Sequence, residues 1–410
     1  MSKKIKVAFV TPKMIIGGAE SYIINKSNWL INNGFDVIIV SQGGENVSNL
    51  PNGVNHIFFD KISSSPLEFS YKDYSDFIEK LSDILLRNDV DVIEAHNSYP
   101  AVHVASSYKY TKIPFFINIL NEVAYYRNPL LTILTKKLSC FGLFYVLSYE
   151  MNRYIEKRIN FKLNPKIIPI PVKAISRDNL SLENKYILSV SRLSEDKDYV
   201  RYLIKDFYEL YKINDKLSEY KLVIVGDGSL FESINVLANS LNKEANRNII
   251  QLRGTLVGDD FETVYKNCSI FVGMATTLLL AASCGKPSVI AGSTPETNKF
   301  SWGLWGENDL DANLIGICSG KDRTSTSFQT ILESLVECEG RLISSGNAAY
   351  KMFKENYDFG SIMTVWGNEY HLVIDTFLTN GVEIEKELNF LHLWRLFYRE
   401  IRRVIKFLRL

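Results

Sequence analysis

Two cations, Arg192 and Lys197, stand five positions apart in SVSRLSEDKD, just past the apolar run Tyr186–Ser191. At the carboxyl end of a strand, an arginine fork and a lysine point charge can grip a diphosphate from two sides. Glu195, Asp196 and Asp198 lie between and beside them, and a solvated charged loop has the same composition. A second phosphate-binding element is Val272–Val289, VGMATTLLLAASCGKPSV, which reads as strand end, tight turn, helix, stop and strand start. Thr276 or Thr277 offers a hydroxyl cap, Gly285 suits the left-handed position that ends a helix, and Pro287 prevents continuation. A helix opening over Ala275, Thr276, Thr277 and Leu278 aims free N–H groups and a positive dipole end at the mouth of a sheet, which favours an anion. An ordinary strand-to-helix turn in an α/β domain looks alike on this stretch alone.

Weaker signals fall at similar places. Gly17 and Gly18 sit in GGAE after the first strand run, where paired glycines let backbone amides approach a ligand closely. The loop is neither a GxGxxG fingerprint nor a GxxxxGK phosphate loop. Gly228 closes a GDG turn and Gly254 follows another apolar run, as glycines do at many strand-to-helix corners. His96 follows the run Val90–Ala95 and is the one histidine at a strand's carboxyl end; His56, His103, His371 and His392 lack that placement.

The elements that must position these residues are legible as alternation. Apolar runs at Lys6–Thr11, Phe35–Ser41, Val54–Phe59, Val90–Ala95, Pro114–Leu120 and Phe144–Ser148 predict strands, with helical patterns over Ser21–Asn33 and Tyr74–Asn88. PKIIPIPV, residues 165–172, has three prolines and suits a connection between domains. The pattern then restarts: strands at Tyr186–Ser191, Lys221–Val225, Asn248–Leu252, Ser269–Val272 and Ser288–Ala291, with helices over Tyr199–Asn214, Leu230–Leu241 and Phe261–Asn267. Alternating strands and helices imply an α/β chain with mostly parallel sheets, two doubly wound Rossmann-like domains in succession. Ligands in such sheets sit at the carboxyl ends of strands, so a cleft between two facing domains is the expected site.

Bulk properties agree. A chain of 410 residues is long enough for two cores. A formal net charge of +1 argues against a general nucleic-acid binder. The five cysteines (Cys140, Cys268, Cys284, Cys318, Cys338) form no CxxC pair and read as reduced thiols of a cytoplasmic protein, without a disulfide framework or a zinc site. The first residues, MSKKIKVAFVTP, enter a strand without a signal-peptide run, and no stretch reaches the ~18 apolar residues of a spanning helix.

Taken together, the GGxE loop, the R-x-x-x-x-K pair, the GDG turn, the glycine near 254 and the small-residue helix ending in CGKP resemble the retaining glycosyltransferases of family 4, of the type used in bacterial polysaccharide biosynthesis. The resemblance covers about 1–380. It implies the GT-B fold: residues 1–172 as an acceptor-side domain, 173–358 as a donor-binding domain, and 359–380 as a helix crossing back to the first. It implies that Arg192 and Lys197 bind the donor diphosphate and that Gly17 and Gly18 approach the donor from the other domain. The region of Ala275–Leu278 would hold the distal phosphate and the transferred sugar, with Gly228 and Gly254 in the donor site. His96 is the catalytic candidate of the first domain, with Asn97, Asn121 and Glu122 as acceptor-side candidates. No metal and no cofactor is implied; the nucleotide-sugar is a substrate. Two departures stand out. Leu280 and Val272 occupy positions where the family usually carries glutamates, the later of which holds the ribose, and the run ending Leu120-Asn121-Glu122 lacks the family histidine.

Residues 381–410 form a tail beyond the usual end. Within 391–410, Arg395, Arg399, Arg402, Arg403, Lys406 and Arg409 against Glu400 give +5, while Trp394, Phe397, Ile401, Val404, Ile405 and Leu408 recur at helical spacing. Such a basic amphipathic helix suits the anionic inner face of the cell membrane and a glycan or lipid-linked acceptor. Tyr125–Lys137 is a second amphipathic candidate, interrupted by Pro129. The expected function is transfer of a sugar from a nucleotide-sugar in surface polysaccharide assembly. The alternative is a non-catalytic partner subunit of a glycosyltransferase complex, prompted by Leu280 and Val272.

Overall fold

Strand β1 (Lys6–Val10) is buried along nearly its whole length, which is why KVAFV reads as a continuous apolar run rather than an alternating one. The computed structural model describes residues 3–15, 18–120, 129–176, 185–292, 297–307 and 325–408, with only the backbone given for Asp196 and 390–408. Two compact units divide the chain: Met1–Ile170 with Ile362–Leu410, and Pro171–Ser361.

The first unit runs from β1 through helix α1 (Gly18–Asn32), β2 (Asp36–Ser41), β3 (Asn55–Phe58), α2 (Tyr71–Arg87), β4 (Val92–His96) and α3 (Tyr99–Thr111). It continues with β5 (Phe115–Ile119), α4 (Pro129–Ser139), β6 (Phe144–Val146), α5 (Tyr149–Ile159) and β7 (Lys166–Ile167). The seven strands are parallel in the order β3-β2-β1-β4-β5-β6-β7. The order reverses between β1 and β4, so the loops after these two strands flank the switch point of the sheet. PKIIPIPV does more than connect: Lys166–Ile167 is the edge strand β7, and Val172 bonds through its N–H to Tyr357 in the second unit.

The second unit contains β8 (Tyr186–Val190), α6 (Tyr199–Ile213), β9 (Lys221–Val225), α7 (Phe231–Glu244), β10 (Ile250–Leu252) and α8 (Gly258–Asn267). Then follow β11 (Ile270–Gly273), α9 (Ala275–Ser283), β12 (Ser288–Ala291), β13 (Ser301–Leu304), α10 (Phe328–Val336) and α11 (Glu339–Asn356). Its sheet has the order β10-β9-β8-β11-β12-β13, parallel except for β13. Gly346 lets α11 cross the CGKP corner, since a Cβ there would lie 2.2 Å from the Gly285 carbonyl oxygen.

Helix α12 (Phe359–Leu408) is a single element of 50 residues. The helix runs on past 380 into the expected tail, as suits GVEIEKELNF, from Gly381, which is rich in helix formers and contains no proline. From Ile362 onward it belongs to the first unit. Trp366, Tyr370, Val373, Phe377, Ile384 and Leu388 form its buried stripe at helical spacing. Glu385 pairs with Lys112 at 2.5 Å, and Glu387 pairs with Lys137. The second amphipathic candidate needs correction. Pro129 opens α4 instead of interrupting a helix, as suits a residue with no N–H to satisfy. Leu130, Leu131, Leu134 and Leu138 are all buried, so that apolar face is consumed by the core; residues 125–128 lie outside the described residues. No helix among the described residues is long and apolar enough to cross a membrane.

Candidate functional site

In the second unit, β8 and β11 are neighbours, and the strand order reverses between them. The loop after β8 carries Arg192 and Lys197; the loop after β11 opens α9. Both therefore sit at adjacent carboxyl strand ends, where an open α/β sheet leaves its crevice. Arg192 is exposed and its Nε donates to Ser194 Oγ at 3.3 Å; Lys197 is half-buried in a short 3-10 turn, Glu195–Lys197.

Three loops hold this cation pair. Ser191 and Leu193 donate their N–H groups to the Val225 and Asp227 carbonyls at 3.0 and 2.9 Å, and Gly226 N–H reaches Gly254 O at 2.7 Å. The GDG turn is glycine-rich for contact, not only for bending. A Cβ on Gly226 would lie 1.9 Å from Ser191 O, and one on Gly228 would lie 2.3 Å from Leu193 O, at φ +136° and +151°. Gly228 thus supports the Arg192 loop by close approach. Gly254 takes a left-handed turn, φ +61°, with open space where a Cβ would project.

Helix α9 begins at Ala275, and its N-cap Met274 makes no side-chain cap bond. The expected threonine cap is not formed: Thr277 Oγ1 donates backwards to the Met274 carbonyl at 2.8 Å, and Thr276 is exposed. The first-turn amides, which an α-helix leaves without intrahelical partners, therefore receive no side-chain acceptor from the N-cap. Ala275 holds φ +53°, a left-handed angle unusual for a residue with a Cβ. Leu278 points into the core, Val272 is fully buried, and Leu280 is half-buried against the same cluster.

The first unit holds a second constellation. His96, at the end of β4, has no exposed surface, so the structure places it in a closed network rather than open to a ligand. Its Nε2 lies 2.9 Å from Glu94 Oε1. Glu94 also accepts from Lys26 Nζ at 3.0 and 2.7 Å, from Asn118 Nδ2 at 2.8 Å and from Tyr370 Oη at 2.5 Å. Lys26, Glu94 and His96 are all 0% exposed, and the Lys26 ammonium sits 3.1 Å from the centroid of the Trp366 ring. Burial opposes the Glu94 charge, but Lys26 and His96 outweigh it and hold the carboxyl well below the usual range. Burial lowers the Lys26 ammonium to about 8 despite that carboxylate. Around them, burial raises the Tyr370 and Tyr22 hydroxyls, with Glu94 adding to the effect.

Asn97 is tied into the backbone: at φ +58° its Oδ1 accepts from Leu120 N–H at 3.0 Å, stapling the loops after β4 and β5. Gly18 is exposed at the first position of α1. Gly17, Asn121 and Glu122 lie outside the described residues. Sequence reasoning did not single out Lys26, Glu94, Asn118 or Tyr370. The available signal was Glu94 itself, a carboxylate inside the apolar strand VIEAH, which demands a buried partner.

Two family models match in succession: Glycosyltransferase Family 4 over residues 16–171 and Glycosyl transferases group 1 over residues 184–302. An uncharacterized glycosyltransferase of Haemophilus influenzae is 27% identical over 291 residues, covering 68% of this chain and 78% of that one. Among solved structures, a glycosyltransferase from Rickettsia africae aligns with a TM-score of 0.64 at 17% identity, over 90% of this chain and 99% of that chain. Anabaena HepE in complex with UDP aligns with a TM-score of 0.61 at 14% identity, over 90% and 99%. With the family 4 match on its first doubly wound sheet and the group 1 match on its second, the chain belongs to the GT-B glycosyltransferases.

Proposed function

We propose that the protein is a retaining glycosyltransferase that takes a sugar from a nucleotide-sugar and passes it to a glycan or lipid-linked acceptor in surface polysaccharide assembly. The observation that carries this reading is the pairing, at adjacent strand ends β8 and β11, of the Arg192–Lys197 loop with the uncapped start of α9. As the bond from sugar to diphosphate breaks, negative charge grows on the leaving phosphate. Fixed cations and N–H groups stabilise that charge more than they stabilise the ground state, which lowers the barrier. Arg192 and Lys197 supply the cations; Ala275, Thr276 and Thr277 supply the amides. The leaving phosphate itself can take the acceptor's proton, so no strong protein base is required. HepE, by its UDP complex, makes a UDP-sugar the first donor to try.

The test is turnover of a panel of UDP-, GDP- and dTDP-sugars by wild type and Arg192→Ala. Loss of one preorganised contact to developing charge lowers kcat by about 10²–10³-fold. Turnover unchanged by the substitution would remove the clamp. Attachment to the membrane is the second part of the reading, and the charge of 391–410 supports it. Removing 391–410 is expected to abolish sedimentation with anionic liposomes; unchanged sedimentation excludes that segment as the main anchor.

A further inference from the structure

Helix α12 is continuous through Leu408, and its sequence carries two different apolar series. The first, from Trp366 to Leu388, is buried against the first unit. Carried onward in the same steps of three and four, that register reaches Leu391 and then Arg395, Arg399, Arg402 and Lys406. The face that seats α12 on its own unit thus turns from apolar to cationic, and a row of arginines does not continue a hydrophobic contact. The second series starts at Phe390 and steps by four and three through Trp394, Phe397, Ile401, Val404 and Leu408. At 3.6 residues per turn it lies about a third of a turn away from the buried register. Steps of four and three in regular alternation are the seam pattern of paired helices.

Charge identifies the partner. Along 375–389, Asp375, Glu383, Glu385 and Glu387 stand against Lys386, a net of −3, whereas 391–410 carries +5. Followed upstream in its own steps, the seam meets Glu387 and Glu383 and so becomes acidic. Glu383 is exposed, and the nearby Leu378 and Val382 are 80% and 71% exposed, so this stretch of α12 is uncovered among the described residues. Two such helices side by side in one direction would set +5 against +5. Reversed, each basic segment runs along the acidic segment of the other, and one surface serves both copies, as a twofold pair requires. An anionic lipid surface attracts the basic segment but repels the acidic one, so it leaves 375–389 without a complement.

We propose that, away from a membrane, α12 pairs antiparallel with α12 of a second copy, seam against seam, with the acidic stretch of each beside the basic segment of the other. An overlap of Glu383–Leu408 in each copy spans about 40 Å of helix. The inference does not depend on the glycosyl-transfer reading. It gives 391–410 a partner in lipid-free solution, where an apolar seam left in water is a liability.

The test is sedimentation-velocity ultracentrifugation of the full chain in lipid-free buffer, over a range of about 1–100 μM. Wild type is expected to form a dimer. Phe397→Ser with Ile401→Ser removes two apolar seam residues from each copy and is expected to weaken the dimer at least about a hundredfold. Thermal melting of each variant keeps loss of fold apart from loss of pairing. Glu383→Lys leaves 391–410 untouched; in the antiparallel pair it sets like charges together at both ends, and the dimer is expected to weaken about tenfold or more. Sedimentation of that variant with anionic liposomes should not fall. A wild type that stays monomeric throughout, while sedimenting with liposomes, makes the segment a membrane element only and overturns the inference. So does a dimer that survives the double serine variant. A dimer no weaker in Glu383→Lys overturns the antiparallel arrangement, since a parallel pair merely exchanges one like-charge contact for another.

Discussion

Replacing Lys26 by methionine keeps the aliphatic stem and removes only the ammonium, leaving Glu94 ionised and buried. At the 2.7 Å separation from Glu94 Oε2, two unit charges attract by about 6 kcal/mol at an effective dielectric constant of about 20. Desolvation of the ammonium offsets part of that, and breaking a buried pair on one side costs about 3–5 kcal/mol net. His96, Asn118 and Tyr370 still donate to Glu94 after the change, which places the expected loss near the lower end, about 3 kcal/mol. For a unit of this size that is about 6–12 °C in Tm. Urea unfolding followed by near-ultraviolet circular dichroism measures it, with the slope kept free to vary. Adding Glu94→Gln should recover most of the loss, because the second substitution removes the orphaned charge. A single Lys26→Met protein within about 1 kcal/mol of wild type, or no less stable than the double variant, would show that the pair is not balanced as argued.

Other outcomes follow from the same geometry. Gly226→Ala forces a Cβ to within 1.9 Å of Ser191 O, so the Arg192 loop must move; left-handed strain alone costs about 1–2 kcal/mol, and donor affinity measured by calorimetry should fall further than stability predicts. Glu94 is held below its ordinary value of 4.5, so its contribution is complete above that pH and is lost as pH falls. Wild type should therefore lose its margin over the neutral double variant during acid unfolding below about pH 4.5, and a margin that grows there would contradict the assignment. Leu280→Glu supplies a ribose acceptor at a half-buried position; donor affinity should rise about ten- to a hundredfold, and no rise means that the ribose is held elsewhere or that the protein binds no ordinary nucleotide-sugar.

How much was legible divides along a physical line. Parallel strands covered on both faces announce themselves as apolar runs, so β1, β2, β5, β8, β9 and β12 fall within a residue or two of their expected places. Helix α3 was not readable: Pro100, Ala101, Val102, His103, Val104 and Ala105 are buried in succession, which erases the helical period. Strand β13 is short, antiparallel and centred on Trp302-Gly303, with no local signal to distinguish it from a loop. In the site, Arg192, Lys197 and the GDG turn were visible as types in sequence. The reason that turn needs glycine, contact with Ser191 and Leu193, belongs to tertiary structure. The Lys26–Glu94 pair spans 68 positions and lay beyond any local pattern.

The long closing helix also bears on the order in which the chain is made. Tyr370 meets Glu94 across 276 positions, and Glu369 meets Tyr145 and Lys166 across 224 and 203. During synthesis from the amino terminus, the first unit therefore emerges with its carboxylate and the ring of Phe116 still lacking Trp366 and Tyr370. The second unit, continuous in sequence from Pro171 to Ser361, is complete before it. The unit that begins folding first is the last to finish, and its incomplete core is exposed to chaperones for the time the ribosome needs to translate everything between.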